Sequence, residues 1–336
     1  MVYYGTLGPS CADMNILRRM LRQGMNGVRL NLSHKSLEAS REWIFEYQKA
    51  AAQEGILKPE LLIDLQGPEL RIGRMNVGLE WQDQQEIYLD VLPLPEFIFP
   101  YLTEGQEILI DDGKILLKVT ECRGVEPENI RCKVIRGGRV IQRKSIALPG
   151  LTIPVPTLTE SDKENLSHAK EYGVTGVMLP FVRNKKDLEV LRKELNANGG
   201  EEIRIFAKLE TLEGVEILDE LLDEADEIVI ARGDLGNAVD LWKLPVLQKE
   251  IARKCREAKK PFMVVTQMLT SMENCAVPTR AEVSDVFNAI MDGAESVMLT
   301  GETAIGRYPV EAMSYLIKTS EEALLYYSGK GKALWE

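Results

Sequence analysis

Short apolar runs rich in β-branched residues alternate with amphipathic stretches along most of the chain. This alternation is typical of parallel strands that are joined by covering helices. Eight runs qualify as strands, and each precedes a segment with helical periodicity. The predicted strands are residues 2–6, 27–31, 61–64, 174–180, 203–208, 227–231, 261–266 and 295–299.

Eight helix-period segments follow these strands. Eight βα repeats, with no ninth, favour a closed (β/α)8 TIM barrel of the α/β class over a doubly wound open sheet. The predicted helices are residues 13–23, 37–54, 160–171, 185–198, 214–225, 244–258, 280–292 and 310–327.

One interval interrupts this rhythm, because no helical period occurs between Pro68 and about Pro154. A structureless loop of that length is implausible in a compact domain. Strand candidates at residues 107–110, 115–120, 130–134 and 139–141 are separated by hairpin signals. We therefore expect an all-β lid domain over 68–154, a small antiparallel barrel or sandwich, inserted into a barrel domain formed by 1–67 and 155–336.

Composition and charge limit the function classes. The 336 residues are 45% hydrophobic and 28% charged, which is ordinary for a globular protein, and their net charge of −11 argues against nucleic-acid binding. Five scattered cysteines without CxxC spacing are interpreted as reduced thiols. The first residues lack the features of a signal peptide, and no apolar run is long enough to cross a membrane. These observations predict a cytoplasmic protein with no membrane partner.

Polar side chains stand where the predicted strands end, which is where a barrel places its active site. At the second strand Arg29, Asn31 and Ser33 alternate with leucines, so these three side chains point to one side. The corresponding residues elsewhere are Asp64 at strand three, Lys208 and Glu210 at strand five, Asp234 at strand six, Thr266 at strand seven, and Thr300 and Glu302 at strand eight.

These residue types suit phosphoryl transfer. Glu210 and Asp234 follow neighbouring strands, and two carboxylates can hold Mg²⁺ or Mn²⁺ while leaving positions for water and substrate oxygens. Lys208 beside them can neutralise charge on a phosphoryl group or an enolate. Arg29 and Arg71 carry guanidinium groups suited to phosphate.

Asn31, Ser33 and Asp64 suggest a second cation site. They offer hard oxygen donors with a single full charge, which suits a monovalent ion better than a divalent one. The alternative for these three residues is a structural hydrogen-bond network. For the Glu210 and Asp234 carboxylates the alternative is ion pairing at the surface, and for Thr266 it is a hydroxyl buried in the core.

At these residues the chain resembles the pyruvate kinase family, and the resemblance extends over nearly the whole sequence. The matching segments are TLGPS from Thr6, GMNGVRLNLSH from Gly24, IDLQGPELRIG from Ile63, DDG from Asp111, KSIALPG from Lys144, AKLETLEGVEILDE from Ala207, VIARGDLG from Val229, TQMLTSM from Thr266, PTRAEVSDVFNAIMDGAESVMLTGETA from Pro278 and YPVEA from Tyr308.

The resemblance implies a role for each matching position. It implies Mg²⁺ on Glu210 and Asp234, and a catalytic Lys208 that touches the phosphoryl group. It places the backbone of Ala231, Arg232, Gly233, Asp234 and Thr266 around enolpyruvate. It places K⁺ on Asn31, Ser33, Asp64 and the Leu65 carbonyl, and Glu69 marks the potassium-dependent members. It places Arg29, Arg71 and Lys144 on ADP or the phosphoryl group, and Thr6, Pro9 and His34 near the nucleotide.

The activity implied is transfer of phosphate from phosphoenolpyruvate to ADP, giving pyruvate and ATP. Because the chain stops after the eighth helix, the resemblance also implies a short form without the family's C-terminal regulatory domain, assembled as a homo-oligomer through barrel helices. The chain departs from the family pattern at Lys35, Leu65, Gln66, Ala147, Pro180, Thr300 and Ile305.

Two other functions are compatible with the same strand ends. One is a Mg²⁺-dependent lyase or aldolase acting through a pyruvate enolate, which has no need of the phosphate clamp at Arg71 and Lys144. The other is a regulatory paralogue that binds phosphoenolpyruvate without turning it over.

Overall fold

The structure, a computed structural model, describes residues 1–68, 70–111, 113–151, 153 and 155–329. It divides into two compact units. One unit holds Met1–Gly67 and Thr157–Glu336, and the other holds Pro68–Pro156. Glu69, the implied potassium marker, and Pro154, the expected end of the insertion, lie outside the described residues.

The strands in chain order are β1 Val2–Thr6, β2 Gly27–Asn31, β3 Glu60–Asp64, β4 Leu70–Arg71, β5 Leu79–Trp81, β6 Glu86–Tyr88, β7 Glu107–Ile110, β8 Ile115–Cys122, β9 Ile130–Arg136, β10 Gly138–Val140, β11 Ser145–Ala147, β12 Gly176–Leu179, β13 Arg204–Leu209, β14 Glu227–Ala231, β15 Phe262–Val265 and β16 Ser296–Leu299.

The α-helices are α1 Met14–Gln23, α2 Arg41–Gln53, α3 Glu160–His168, α4 Lys185–Ala197, α5 Leu212–Glu216, α6 Leu218–Leu221, α7 Arg232–Ala238, α8 Leu244–Glu257, α9 Arg280–Met291, α10 Gly301–Ala304 and α11 Pro309–Tyr327.

Eight parallel strands close into a barrel in the order β1, β16, β15, β14, β13, β12, β3, β2, with β2 returning to β1. All eight predicted strands are present, so the predicted (β/α)8 barrel is confirmed. The prediction missed two short helices, α7 and α10, which begin as soon as β14 and β16 end. Two glycines in α7 hid its helical propensity, because glycine is a poor helix former. The predicted helix at 214–225 is two short helices instead, α5 and α6.

The barrel interior is layered, because alternate side chains of each strand point inward. On β13, Arg204 lies at the amino end, Phe206 in the middle and Lys208 at the carboxyl end. The middle layer is apolar and fully buried, and it consists of Tyr4, Leu62, Met178, Phe206, Val229, Met263 and Met298. A second, larger core lies between the outer face of the strands and the helices. The charged and polar side chains that could take part in catalysis lie at the carboxyl end, beyond the middle layer.

Two of the covering helices begin with reciprocal hydrogen bonds. Thr159 caps α3 with Asp162, and Thr279 caps α9 with Glu282; in each pair the threonine hydroxyl accepts from the third residue and the carboxylate accepts from the threonine N–H. These capping boxes are visible as Thr-x-x-Asp and Thr-x-x-Glu in the sequence. They fix where each helix starts.

The inserted unit is antiparallel and has its own hydrophobic core. Six strands form one sheet in the order β4, β11, β7, β8, β9, β6, and β10 pairs with β5 in a separate two-stranded sheet. Within the inserted unit, the described residues therefore form two sheets. Of the two expected forms, a small barrel or a sandwich, they do not form a single closed barrel. Strands of two or three residues and register shifts between β8 and β9 interrupt the ladders.

Charged residues fill the amino end of the barrel. Glu227 is buried and accepts a hydrogen bond from the Ser296 hydroxyl, while Arg204 pairs with Glu60. Burial raises the pKa of Glu227 to about 7; Ser296 and Arg204 oppose this rise, and neighbouring carboxylates add to it. This end of the barrel lies opposite the polar strand ends.

Among the described residues, no helix is both long enough and apolar enough to cross a membrane.

Gly176 leaves the space that the middle layer needs. A Cβ atom added at Gly176 would lie 2.6 Å from both Leu62 Cδ2 and Phe206 Cε2. We expect Gly176→Ala to lower the free energy of unfolding by about 1–3 kcal/mol, because overpacking forces core side chains to move. Urea denaturation measures this change. Gly236→Ala, whose added Cβ would meet nothing closer than 3.5 Å, is the control and should not destabilise. Equal midpoints for the two variants would contradict the packing explanation.

The raised pKa of Glu227 predicts a pH-dependent stability. Between the ordinary glutamate value of 4.5 and about 7, the folded chain binds more protons at this site than the unfolded chain. Stability should therefore fall as the pH rises through this window. Glu227→Gln should remove this part of the slope and gain about 1–3 kcal/mol over the wild type at about pH 8.

Denaturant midpoints at about pH 5 and about pH 8 test this prediction. The exposed substitution Glu202→Gln is the control and should follow the wild type at both pH values. A wild-type minus Glu227→Gln difference that stays constant with pH would refute the assignment.

Candidate active site

On several strands the inward-facing stripe changes from apolar to polar at the carboxyl end of the barrel. On β3 the buried Leu62 is followed two residues later by Asp64, and on β13 Phe206 is followed by Lys208 and Glu210. Arg29 lies on the inward face of β2, the neighbour of β3. The layer that closes the core is thus directly overlaid by charges.

Asp64 is the point where these charges meet. It is 2% exposed, and one of its oxygens accepts hydrogen bonds from the Arg29 guanidinium, with Nε at 3.0 Å and Nη2 also in contact. Lys208 Nζ lies 3.2 and 3.3 Å from its two oxygens. Burial alone would raise the pKa of Asp64, but Lys208 and Arg29 outweigh burial and hold that pKa below its usual value. The charged form of Asp64 is therefore favoured by its two cationic neighbours.

Lys208 lies between two carboxylates. Its Nζ is 2.7 Å from Glu210 Oε1 as well as in contact with Asp64. Burial favours the neutral amine, but Asp64 and Glu210 more than compensate and raise the pKa of Lys208 above its ordinary value. Lys208 is thus an ammonium at working pH, suited to stabilise negative charge and not to act as a base.

Both oxygens of Glu210 have a partner within the protein. Its Oε2 accepts from the Phe181 N–H at 2.8 Å, and its Oε1 is buried and ion-paired with Lys208 Nζ at 2.7 Å. Burial raises the pKa of Glu210 to about 7; Lys208 opposes the rise, and Asp234 reinforces it. A buried acceptor of this kind, next to a second carboxylate, is suited to bind a cation.

Asp234 lies in the first turn of α7, directly after β14. It acts electrostatically on both Lys208 and Glu210, so the carboxyl ends of β13 and β14 bring the three side chains together. Within the described part of the chain, no three His, Cys, Asp or Glu side chains form a ready metal cage. Two carboxylates fit Mg²⁺, which commonly keeps waters and takes further ligands from a substrate phosphate.

The residues expected to hold K⁺ converge only in part. Asn31 and Asp64 are partners in the β2–β3 register. The Asn31 amide oxygen accepts from the Ser33 N–H at 3.1 Å, and the Leu65 N–H donates to the Met178 carbonyl. The Asp64 carboxylate contacts Arg29 and Lys208. The structure thus assembles these residues at two adjacent strand ends.

Of the three residues expected near a nucleotide, Thr6 is internal. It is 3% exposed, and its hydroxyl donates to the Leu299 carbonyl at 2.9 Å. Its side chain is therefore turned away from solvent. Pro9 and His34 are exposed.

In the inserted unit, Arg71 and Lys144 lie on or beside paired strands. Arg71 pairs with Ser145 in the β4–β11 register, and its Nη1 donates to the Arg143 carbonyl at 2.8 Å. Lys144 Nζ lies 2.7 Å from Asp111 Oδ1. Arg71 and Lys144 thus lie close together in this unit, because Arg71 pairs with Ser145, the residue that follows Lys144.

The chain passes from β14 into α7 through Ala231, Arg232, Gly233 and Asp234. The Arg232 side chain is buried and reaches the end of β15. There its Nη2 donates to the Thr266 carbonyl at 2.8 Å. The resemblance implied a role for the Arg232 backbone only. It gave no indication that the Arg232 guanidinium bonds the backbone at the end of β15.

Asp162 was also missed. Its carboxylate is fully buried and accepts from the N–H groups of Gln66, at 2.9 Å, and Gly67, at 3.1 Å, in addition to capping α3. It thereby holds the backbone that follows Asp64. The Thr-x-x-Asp spacing is compatible with a cap, but nothing in it points to the second set of donors.

Comparison with known proteins matches this geometry. A family model described as "Pyruvate kinase, barrel domain" matches residues 2–313. A pyruvate kinase of Clostridium perfringens is 36% identical over 96% of this chain and 70% of its own length. One from Mycobacterium intracellulare is 37% identical over 92% of this chain and 66% of its own length. One from Sporosarcina psychrophila is 36% identical over 96% of this chain and 57% of its own length.

The chain thus aligns over almost its whole length, while it spans between 57% and 70% of the length of these three relatives. The family model covers all eight strands of the barrel and the polar strand ends, which confirms the resemblance found in the motifs. On these grounds the chain belongs to the pyruvate kinase family.

Proposed function

We propose that this chain transfers the phosphoryl group of phosphoenolpyruvate to ADP, giving ATP and pyruvate. The observation that carries the proposal is the buried ammonium of Lys208, in contact with Asp64 and Glu210 at the barrel mouth. The bond between phosphorus and the enol oxygen breaks, and a bond to a terminal ADP oxygen forms. A proton then adds to the methylene carbon of the enolate.

Cations at the barrel mouth support this chemistry. Negative charge passes from the enol phosphate to the transferring group and to the enolate oxygen, and preorganised cations stabilise such charge. Lys208 is permanently charged, and Asp64 fixes both it and Arg29. Lys208 therefore faces the phosphoryl group and the enolate, and Arg29 helps to orient the phosphate.

The donor set supports Mg²⁺ or Mn²⁺ on Glu210 and Asp234, since the buried Glu210 carboxylate lies close enough to Asp234 for the two to act on each other electrostatically. When bound, the ion neutralises charge on phosphoryl and enolate oxygens. K⁺ is proposed on Asn31, Ser33, Asp64 and the Leu65 carbonyl. The backbone of Ala231, Arg232, Gly233 and Asp234, with Thr266, contacts enolpyruvate, and in the barrel unit Thr6, Pro9 and His34 lie near the nucleotide. In the inserted unit, Arg71 and Lys144 supply cations that suit phosphate.

We further propose a cytoplasmic homo-oligomer. All five cysteines, each in the described part of the chain, are free thiols, as expected in a reducing compartment. Leu241, Trp242 and Val246 are 70%, 77% and 62% exposed at the start of α8. Apolar side chains of this size on a barrel helix support contact with a second copy.

Removing the Lys208 ammonium tests the proposed function. We expect Lys208→Met to lower kcat roughly 10²–10³-fold, since one preorganised charge that acts in the transition state is lost. The assay follows pyruvate by coupling to lactate dehydrogenase, with phosphoenolpyruvate, ADP, Mg²⁺ and K⁺. Lys163→Met, a surface lysine, is the control. Wild-type protein without ADP-dependent turnover would sink the proposal, and pyruvate release that needs no nucleotide would favour a lyase.

The assignment of Glu210 to the metal has a readout that does not depend on turnover. Glu210→Gln should weaken Mn²⁺ binding about 10–100-fold, as measured by electron paramagnetic resonance. Glu227→Gln is a matched control, because Glu227 is also a buried glutamate with a pKa of about 7 but lies at the opposite end of the barrel. Unchanged Mn²⁺ affinity in Glu210→Gln would contradict the assignment.

A further inference from the structure

Two consecutive residues at the end of β15 have an unusual backbone conformation. Thr266 has a φ of 75° and Gln267 a φ of 56°, both in the left-handed region. Side chains with a Cβ disfavour this region, and a β-branched threonine does so most strongly. Such a conformation persists only where surrounding contacts impose it.

The Arg232 guanidinium supplies these contacts. Its Nε and Nη2 donate to the Thr266 carbonyl at 3.2 and 2.8 Å, and Nη2 also donates to the Gln267 carbonyl at 3.2 Å. The Met268 sulfur lies 3.0 Å from Nη2. Arg232 is 8% exposed, so these bonds are shielded from water.

The other edge of the guanidinium is held by two helices. Nη1 lies 2.7 Å from Asp285 Oδ2 on α9 and 3.5 Å from Gln248 Oε1 on α8. Gln248 is itself fixed by a 3.0 Å hydrogen bond to Asp292. The guanidinium therefore has a defined orientation and is not a loosely paired charge.

Arg232 also belongs to the segment that carries a proposed metal ligand. It is the first residue of α7, and Gly233 and Asp234 follow it. A Cβ added at Gly233 would lie 3.0 Å from Thr266 Cγ2, so the Thr266 side chain packs over this glycine. The turn after β14 and the turn after β15 are thereby fixed to each other.

We propose that Arg232 is a positioning residue that holds the Thr266–Gln267 turn in its left-handed form, so that the Thr266 side chain is set against the segment bearing Asp234. This inference rests on the proposed function, in which Thr266 contacts enolpyruvate. The Arg232 side chain touches no substrate and acts through the Thr266 backbone.

Kinetics of three variants test this role. Arg232→Ala should lower kcat at least tenfold, with a change of less than threefold in the KM for phosphoenolpyruvate. Arg232→Lys should recover little, because an ammonium cannot bridge two carbonyls and Asp285 at once. In a Thr266→Ala background the same Arg232→Ala change should cost less than threefold, because residues that act as a unit are not additive.

Chemical rescue separates positioning from stability. Millimolar guanidinium should raise kcat of Arg232→Ala severalfold, and urea at the same concentration should not. Arg192→Ala is the matched control, because Arg192 also donates to two backbone carbonyls, those of Glu201 and Ile203, and pairs with Asp226. Arg192→Ala should lower the melting temperature without lowering kcat, and guanidinium should not rescue it.

Hydrogen exchange provides a readout that is independent of turnover. In Arg232→Ala, amides of residues 266–268 should exchange faster, while those of β12 keep the wild-type rate. Unchanged kcat, additive costs with Thr266→Ala, or unchanged exchange at 266–268 would each overturn the positioning role. If Arg232→Ala shows the faster exchange at residues 266–268 but the wild type does not turn over phosphoenolpyruvate with ADP, the proposed function is overturned and the positioning of the turn is not.

Discussion

The buried ion pair between Lys208 and Asp64 is the interaction on which the mouth of the barrel depends. An isolated ammonium or carboxylate at this depth would be strongly unfavourable, so each requires the other to remain charged. Asp64 also fixes Arg29, and Lys208 also contacts Glu210. Removing either partner would therefore leave several charges unpaired, and not just one.

The balance of charge in this network explains why a divalent cation fits. Three carboxylates, on Asp64, Glu210 and Asp234, face two cations, Arg29 and Lys208. Burial raises the pKa of Glu210 to about 7, and the neighbouring negative charge of Asp234 adds to the rise, while Lys208 opposes it. An incoming phosphate would add further negative charge. A site that is to bind an anion here needs additional positive charge, and Glu210 and Asp234 offer the oxygens that would hold it.

Precision at the site comes from groups that do not face the substrate. Asp162 holds the backbone after Asp64 from the start of α3, and Arg232 holds the turn after β15 from the start of α7. Both side chains are buried, and both bond main-chain groups. Strand ends would otherwise vary in conformation, because the barrel ladder stops there; these bonds extend the rigidity of the barrel into the loops.

The sequence alone determined the barrel, its strand order of appearance and the identity of the polar strand ends, because strand and helix periodicities depend on neighbours only a few residues apart. It could not show that α7 begins at Arg232, that Thr6 is internal, or that the described strands of the insertion form two sheets. Those outcomes depend on contacts between residues far apart in the chain, such as Arg232 with Thr266 and Thr6 with Leu299. Only the tertiary structure decided which groups pair with each oxygen of Glu210 and that Asp64 pairs with both Arg29 and Lys208, because these contacts depend on the directions in which side chains meet across the barrel.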